Sequence, residues 1–162
     1  MGVNRCGVPD RMGWRMRVIS EPKELIGRYV AAKQKHAADW GLYTAFGLIN
    51  TDDELVAGIV FNGYTPPSIM MHIAADRMTP GLIATAMHYA FVKSDCKRIT
   101  GIIDQNNDKS CRFARSLGAK LEGIMRDASK TGNLCIYGLL RDDAQKWLKP
   151  KYLRKLEASW AL

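Results

Sequence analysis

Four places in this 162-residue chain hold residue types that can do chemistry. The segment Thr79-Pro80-Gly81 reads as the opening of a helix, either an ordinary capped start or a seat for an anion on the free N–H groups and positive end of the helix dipole. Arg77, two residues before it, adds a cation. Asn107 and Ser110 stand where a second helix begins. They offer an amide and a hydroxyl, and both are also ordinary capping residues. His72 lies in the strand-like run Ser68–Ala74. An imidazole there can take a proton, or can be packed and hydrogen-bonded. Glu122, on another strand-like run, is either a second proton acceptor or a solvent-facing carboxylate. Cys6, Cys96, Cys111 and Cys135 form no CxxC pair and are not grouped with His36, His72 or His88, so no metal site is expected. Cys111 has no base within sequence reach, which argues against a thiol nucleophile.

The elements that must position these groups follow from periodicity and punctuation. Met16–Ser20 reads as a first strand, and a helix follows to about Ala38. Ser20, Pro22 and Glu24 have the spacing of a capping box. Tyr43–Ile49 and Glu54–Tyr64 flank a polar turn and read as an antiparallel hairpin. Pro66-Pro67 breaks the chain before the strand Ser68–Ala74. A helix runs from Thr79 to Phe91, and the apolar run Arg98–Asp104 is a central strand. Residues 107–117 form a helix, and Lys120–Met125 and Leu134–Leu140 are strands around Lys130–Asn133. Asp142–Trp160 reads as a basic helical tail broken at Pro150. The alternation of these elements predicts a mixed sheet flanked by helices.

Composition bounds the rest. One domain over 16–148, a flexible leader over 1–15 and a basic tail over 149–162 account for the length. No apolar run approaches the ~20 residues of a membrane span. The arginines near the N-terminus have no apolar block behind them, so a signal peptide is not expected. With no export signal, reduced thiols in a cytoplasmic setting are the expectation. The net charge of +8 is suited to an anionic cofactor or a nucleic acid, although a solvated basic surface accounts for it more simply. The tail mixes Trp147, Tyr152 and Leu153 with lysines, suited to its own domain, to nucleic acid or to a second copy of the chain as a homodimer.

The stretch from Arg98 to Asp127 carries a family likeness. Asn107-Asp108-Lys109-Ser110, Leu117-Gly118-Ala119, Glu122-Gly123 and Arg126 resemble the GCN5-related N-acetyltransferases (GNAT). The enzymes of that superfamily that acetylate ribosomal-protein N-termini carry Asn-x-x-Ser, Leu-Gly-Phe, Glu-Gly and Arg in this order; here Ala119 replaces Phe. The chain is also similar to GNAT-like proteins encoded by bacteriophages. The resemblance is strongest over 98–140, weaker over 54–97 and topological before that. It implies an α/β (α+β) GNAT fold: one mixed, mostly antiparallel sheet flanked by helices, its fourth and fifth strands splayed.

The resemblance also implies acetyl-CoA as cofactor and an amine acceptor, a protein N-terminus or small amine, attacking directly. The family's phosphate loop, Arg/Gln-x-x-Gly-x-Gly/Ala, falls on Arg77–Leu82. Arg77 matches, while Pro80 and Leu82 replace the glycines, and Leu82 adds bulk where backbone should approach phosphate. Thr79, Gly81, Leu82 and Ile83 remain as the helix start that would meet the pyrophosphate. Met71–Ala75 would lie beside the thioester, with a backbone N–H for the oxyanion, and Ile73 and Ala74 would touch the cofactor. Asn107 would meet the pantetheine arm, and Ser110 would protonate the departing thiolate. His72 or Glu122 would take the amine proton, a lighter task for an α-amino group of pKa ~8 than for a lysine of ~10.4. Tyr137 lines the acceptor pocket or fills the core, and Ser129 stands where some relatives place an acid. Two rival readings remain: a non-catalytic GNAT-fold protein, and a nucleic-acid-associated one.

Overall fold

The computed structural model describes residues 8–9 and 15–149. The strands are β1 (Val8–Pro9), β2 (Arg15–Ile19), β3 (Tyr43–Ile49), β4 (Leu55–Thr65), β5 (Ser68–Ala75), β6 (Arg98–Asp104), β7 (Lys120–Ser129) and β8 (Gly132–Leu140). They form one sheet in the order β1-β2-β3-β4-β5-β6-β8-β7. Every neighbouring pair is antiparallel except β5 and β6, which run parallel. Val8–Pro9 pair with Met16 and Arg15, so part of the segment read as a leader joins the sheet. The rest of that leader, and the tail from Pro150 on, lie outside the described residues.

Three α-helices cover the sheet: α1 (Lys23–Gln34), α2 (Pro80–His88) and α3 (Asp108–Leu117). None is long and apolar enough to cross a membrane. Side chains alternate across a strand, so contacts assign each helix to a face. Ile26, Val30 and Ala31 of α1 pack with Ala45, Val60 and Ala74 on one face. Leu82, Ile83, Ala86 and Met87 of α2 pack with Phe46, Leu48, Ile59, Phe61, Ile69 and Ile99 on the other. Helix α3 shares the α2 face, where Cys111 and Ala114 meet Cys135 and Tyr137. The approach of α1 depends on Gly58, since a Cβ there would stand 2.7 Å from Val30 Cγ2.

The ends of α1 differ from expectation. The capping box of Ser20 and Glu24 does not form, because the helix begins only at Lys23, with Pro22 at the N-cap and no side-chain cap bond. The Glu21 carboxylate instead accepts from the Lys23 N–H at 3.0 Å. The helix stops at Gln34 and not near Ala38, because Lys35 adopts the left-handed conformation (φ 57°) and turns its N–H back onto Ala31 and Ala32. Helix α2 starts as read, with the Thr79 hydroxyl accepting from the Leu82 N–H at 3.3 Å. It continues as one π-helical turn, Tyr89–Lys93. The Leu-Gly stop of α3 is also as read. Gly118 has φ 105°, and a Cβ there would lie 2.6 Å from the Asp143 carbonyl oxygen. Beyond β8 the chain forms a 3-10 turn, Asp142–Trp147, and Trp147 and Leu148 pack onto the core beside α2.

Candidate functional site

The site begins where a ladder ends. β5 and β6 are paired only at Ser68–Arg98, Ile69–Ile99 and Met70–Thr100. Both strands continue, β5 to Ala75 and β6 to Asp104, so they part into a cleft open at their C-terminal ends. The N-termini of α2 and α3 follow those ends directly.

Which peptide groups face the cleft follows from alternation. The Asp76 N–H donates to the Val56 carbonyl of β4 at 2.8 Å. In the unbroken β4–β5 register, Ala74 and His72 therefore also turn their peptide groups towards β4. Met71, Ile73 and Ala75 turn theirs the other way, into the cleft. The bond from Lys97 N–H to the Pro67 carbonyl, 2.8 Å, confirms that odd-numbered residues face β6. On the facing strand, the Gln105 N–H reaches Asn133 of β8, so Ile102 turns its groups to the cleft. Of the β5 residues singled out from sequence, Ile73 presents its backbone here and His72 and Ala74 do not.

The carbonyl of Ile73 is already met. Gln34, the last residue of α1, donates to it from Nε2 at 3.0 Å. Gln34 Oε1 lies 3.0 Å from His36 Nε2, and His36 Nδ1 lies 2.8 Å from the Ala37 carbonyl. The His36 ring sits edge-on to Trp40 with centroids 4.7 Å apart. Trp40 in turn lies 4.8 Å from the ring of His72. None of Gln34, His36 or Trp40 was singled out from the sequence. His36 sits in the segment read as helix out to Ala38, and the left-handed turn at Lys35 carries it and Trp40 back towards β5, beside Gln34 at the end of α1.

His72 lies on the α1 face, one residue from the cleft-facing peptide of Ile73. Its Nε2 is 2.9 Å from Asn62 Oδ1, while Asn62 Nδ2 donates to the Trp40 carbonyl at 3.2 Å. The Asn62 amide is thus oriented with its oxygen towards the ring, so Nε2 carries the proton and Nδ1 the lone pair. Burial, with His36 as second cause, pushes the His72 pKa down to about 4. The imidazole is therefore neutral across the physiological range. Asn62 breaks the apolar run of β4 on the same face as His72, a polar interruption legible in the sequence.

At the mouth of the cleft, Asp76 accepts from Lys33 at 2.8 and 2.9 Å and from the Tyr29 hydroxyl at 3.1 Å. These bonds hold its carboxyl below the usual carboxylate range, and Lys109 adds to the effect from the first turn of α3. Asn107 caps that turn, its Oδ1 accepting from the Ser110 N–H at 3.1 Å. Ser110 thus serves the cap through its backbone. Beneath α3, Asp104 accepts from Ser129 Oγ at 2.8 Å and from Thr131, which ties the β7–β8 turn to the end of β6.

The start of α2 differs from expectation in one respect. Leu82 adds no bulk on the outside of α2, because its side chain is fully buried in the core. Its N–H and that of Ile83 are drawn onto Thr79, which leaves Gly81 as the outward donor. A Cβ at Gly81 would meet nothing nearer than Thr79 Oγ1 at 3.9 Å, so the pole is open. Pro80 occupies the first helical position, where a missing N–H matters least.

Two residues are not brought to this cleft. Glu122 sits on β7, with β8 between it and β6, and forms an ion pair with Arg98 at 2.6 Å. The hydrogen bond from Arg98 holds its carboxyl low, so it is a poor proton acceptor. Tyr137 is buried in the core and accepts from Arg115 at 2.9 Å. A cavity of about 830 Å³ lies elsewhere on the α1 face, between α1 and β2–β4, lined by Arg17, Ile19, Leu25, Tyr29 and Ile49.

A mixed sheet opened between its parallel pair, with a helix N-terminus at the mouth, defines the fold of the GNAT acetyltransferases. Solved structures agree. The spermidine/spermine N-acetyltransferase SpeG from Vibrio cholerae, in mutant forms, matches with a TM-score of 0.63 at 11% identity, over 84% of this chain and 99% of that one. The ribosomal-protein-S5-alanine acetyltransferase from Vibrio fischeri matches with a TM-score of 0.61 at 12% identity, over 80% and 94%. A dodecameric spermidine N-acetyltransferase from Vibrio cholerae matches with a TM-score of 0.61 at 11% identity, over 84% and 98%. No family model matches the chain, and neither does any curated protein sequence.

Proposed function

We propose that this protein moves an acetyl group from acetyl-CoA to a primary amine by direct attack. The observation that carries the reading is the end of the β5–β6 ladder at Met70–Thr100, which turns peptide groups of β5 into a cleft beside a neutral imidazole and below an open helix pole. The residues present fit the cofactor. Gly81 offers an N–H at the positive end of α2, and Arg77 adds charge. An amide-bearing arm laid along β5 finds the N–H and C=O groups of Met71, Ile73 and Ala75, as any extended segment does at a strand edge. Asn107 and Ser110 face that arm from the first turn of α3. Bound acetyl-CoA supplies an activated thioester.

The chain's own groups do the rest. A cleft-facing N–H of Met71 or Ile73 donates to the acyl oxygen as negative charge builds on it. His72 Nδ1 takes the proton lost by the attacking amine, directly or through water. Ser110 gives a proton to the departing thiolate, which leaves as the free thiol. A base with a pKa near 4 is weak, so the amine must arrive largely neutral. That favours an α-amino group, pKa ~8, over a lysine side chain near 10.4. The carboxylates at hand are also committed, Asp76 to Lys33 and Asp104 to Ser129 and Thr131, which suits a single amine better than a polycation. Self-association enters this reading only by likeness to the dodecameric neighbour.

The test is a thermal titration with acetyl-CoA followed by a thiol-release assay with a panel of amines. A ligand at a hundred times its Kd stabilises by ~2.7 kcal/mol, which in a chain of this size raises Tm by roughly 5–10 °C. Free thiol should appear only when an amine is present. A Tm that does not move at millimolar acetyl-CoA would leave a non-catalytic GNAT-fold protein.

A further inference from the structure

The Ile73 carbonyl is the middle acceptor of the β5 edge, and Gln34 Nε2 already donates to it at 3.0 Å. An extended arm that pairs its amides along Met71, Ile73 and Ala75 needs the same acceptor. The oxygen has two lone pairs, and a donor seated on the one that points along the strand edge stands where an arm amide would pair. We propose that Gln34 is a stand-in for an amide N–H of the cofactor arm, and that cofactor entry displaces it. The inference rests on the acetyl-CoA reading given above.

The displacement has a second effect, because the Gln34 amide is held at both ends. Donation from Nε2 to Ile73 orients the group so that Oε1 accepts, and its partner is His36 Nε2. The same His36 ring is stacked edge-on to Trp40, which lies against His72. The bond from His36 Nδ1 to Ala37 is local to the loop and braces nothing on β5. When Gln34 leaves Ile73, the tie from β5 to His36 through the Gln34 amide is lost, while Trp40 stays held through Asn62 and Gly27. The His36 ring, 6.4 Å from that of His72, is then free to swing aside for an amine while Trp40 keeps its place. Gln34 is thus a positioning residue that makes the acceptor side answer to the cofactor side, and cofactor binds first.

The experiment measures acetyl-CoA affinity by calorimetry for the wild type, Gln34→Ala and Gln34→Met. Methionine keeps the length of the side chain and removes the N–H donor, so it separates lost competition from added space. Gln34 is exposed at the end of α1, and the unliganded Tm of each variant shows that the fold stands. Removing one competing hydrogen bond should tighten binding about fivefold in both variants. Amide exchange over residues 35–38 should quicken in the wild type on saturation with acetyl-CoA, and should be fast in both variants without it. Wild-type binding with equal or weaker binding by both variants overturns the stand-in role alone. No binding by any of the three proteins overturns the acetyl-CoA reading and the inference with it.

Discussion

His72 gives the sharpest quantitative test, because its environment is resolved atom by atom. Burial lowers its pKa from 6.5 to about 4, so the unfolded chain binds this proton well before the folded one does. Stability is therefore complete above pH 6.5 and is lost as pH falls towards 4. Between pH 8 and pH 5 the difference in proton uptake amounts to about 2 kcal/mol. The ring is only partly buried, so solvent screening reduces this to ~1–1.5 kcal/mol. In a chain of this size that lowers Tm by roughly 2–6 °C. Asp76, Asp104 and Asp143 are all held below their usual range by hydrogen bonds, so they begin to cost stability only in stronger acid. The assay is calorimetry of the wild type and His72→Gln at pH 8, 6.5 and 5. Glutamine keeps a donor for Asn62 and cannot titrate. The drop in Tm from pH 8 to 5 should be smaller in the variant by that amount. Equal drops in the two proteins would refute the buried, neutral imidazole, and with it the argument that the amine arrives unprotonated.

Two other outcomes are expected. Ser110→Ala should lower kcat at least tenfold with acetyl-CoA affinity nearly unchanged, since the cap uses the Ser110 N–H and not its hydroxyl; equal turnover in the thiol-release assay would remove the serine from the chemistry. Gly118→Ala should destabilise by ~2–4 kcal/mol, measured by denaturant unfolding, because a Cβ at φ 105° meets the Asp143 carbonyl at 2.6 Å; a loss below ~1 kcal/mol would show that the C-terminal turn yields to the methyl group.

The parts of the fold legible in the sequence were those governed by short-range rules. Leu117-Gly118 stops α3 because only glycine accepts that backbone conformation cheaply. Thr79 and Asn107 cap their helices because a side-chain oxygen three residues ahead of an N–H has few other choices. Short-range reasoning failed at Ser20, where the chain entered α1 later than the capping pattern implied, and at Lys35, where a residue with no turn signature adopted a left-handed conformation. The second failure hid the return of His36 onto Gln34, and with it the approach of Trp40 to His72. Leu82 and Glu122 were misjudged for another reason. A sequence gives a residue's type but not the direction of its side chain, and tertiary packing turned Leu82 inward and set Glu122 against Arg98.

The register of β5 makes the cleft unusual as a target for substitution. Its working groups at Met71, Ile73 and Ala75 are peptide N–H and C=O, while the side chains of those residues point into the layer beneath α2. Replacing one apolar side chain by another there changes packing and leaves every donor and acceptor in place. Inserting or deleting one residue within 71–75 would do the reverse, exchanging the groups that face the cleft for those that pair with β4 while barely altering composition. The address of this site is therefore written in residue count, so single-residue indels in β5 should abolish ligand binding where a scan of conservative apolar replacements finds little.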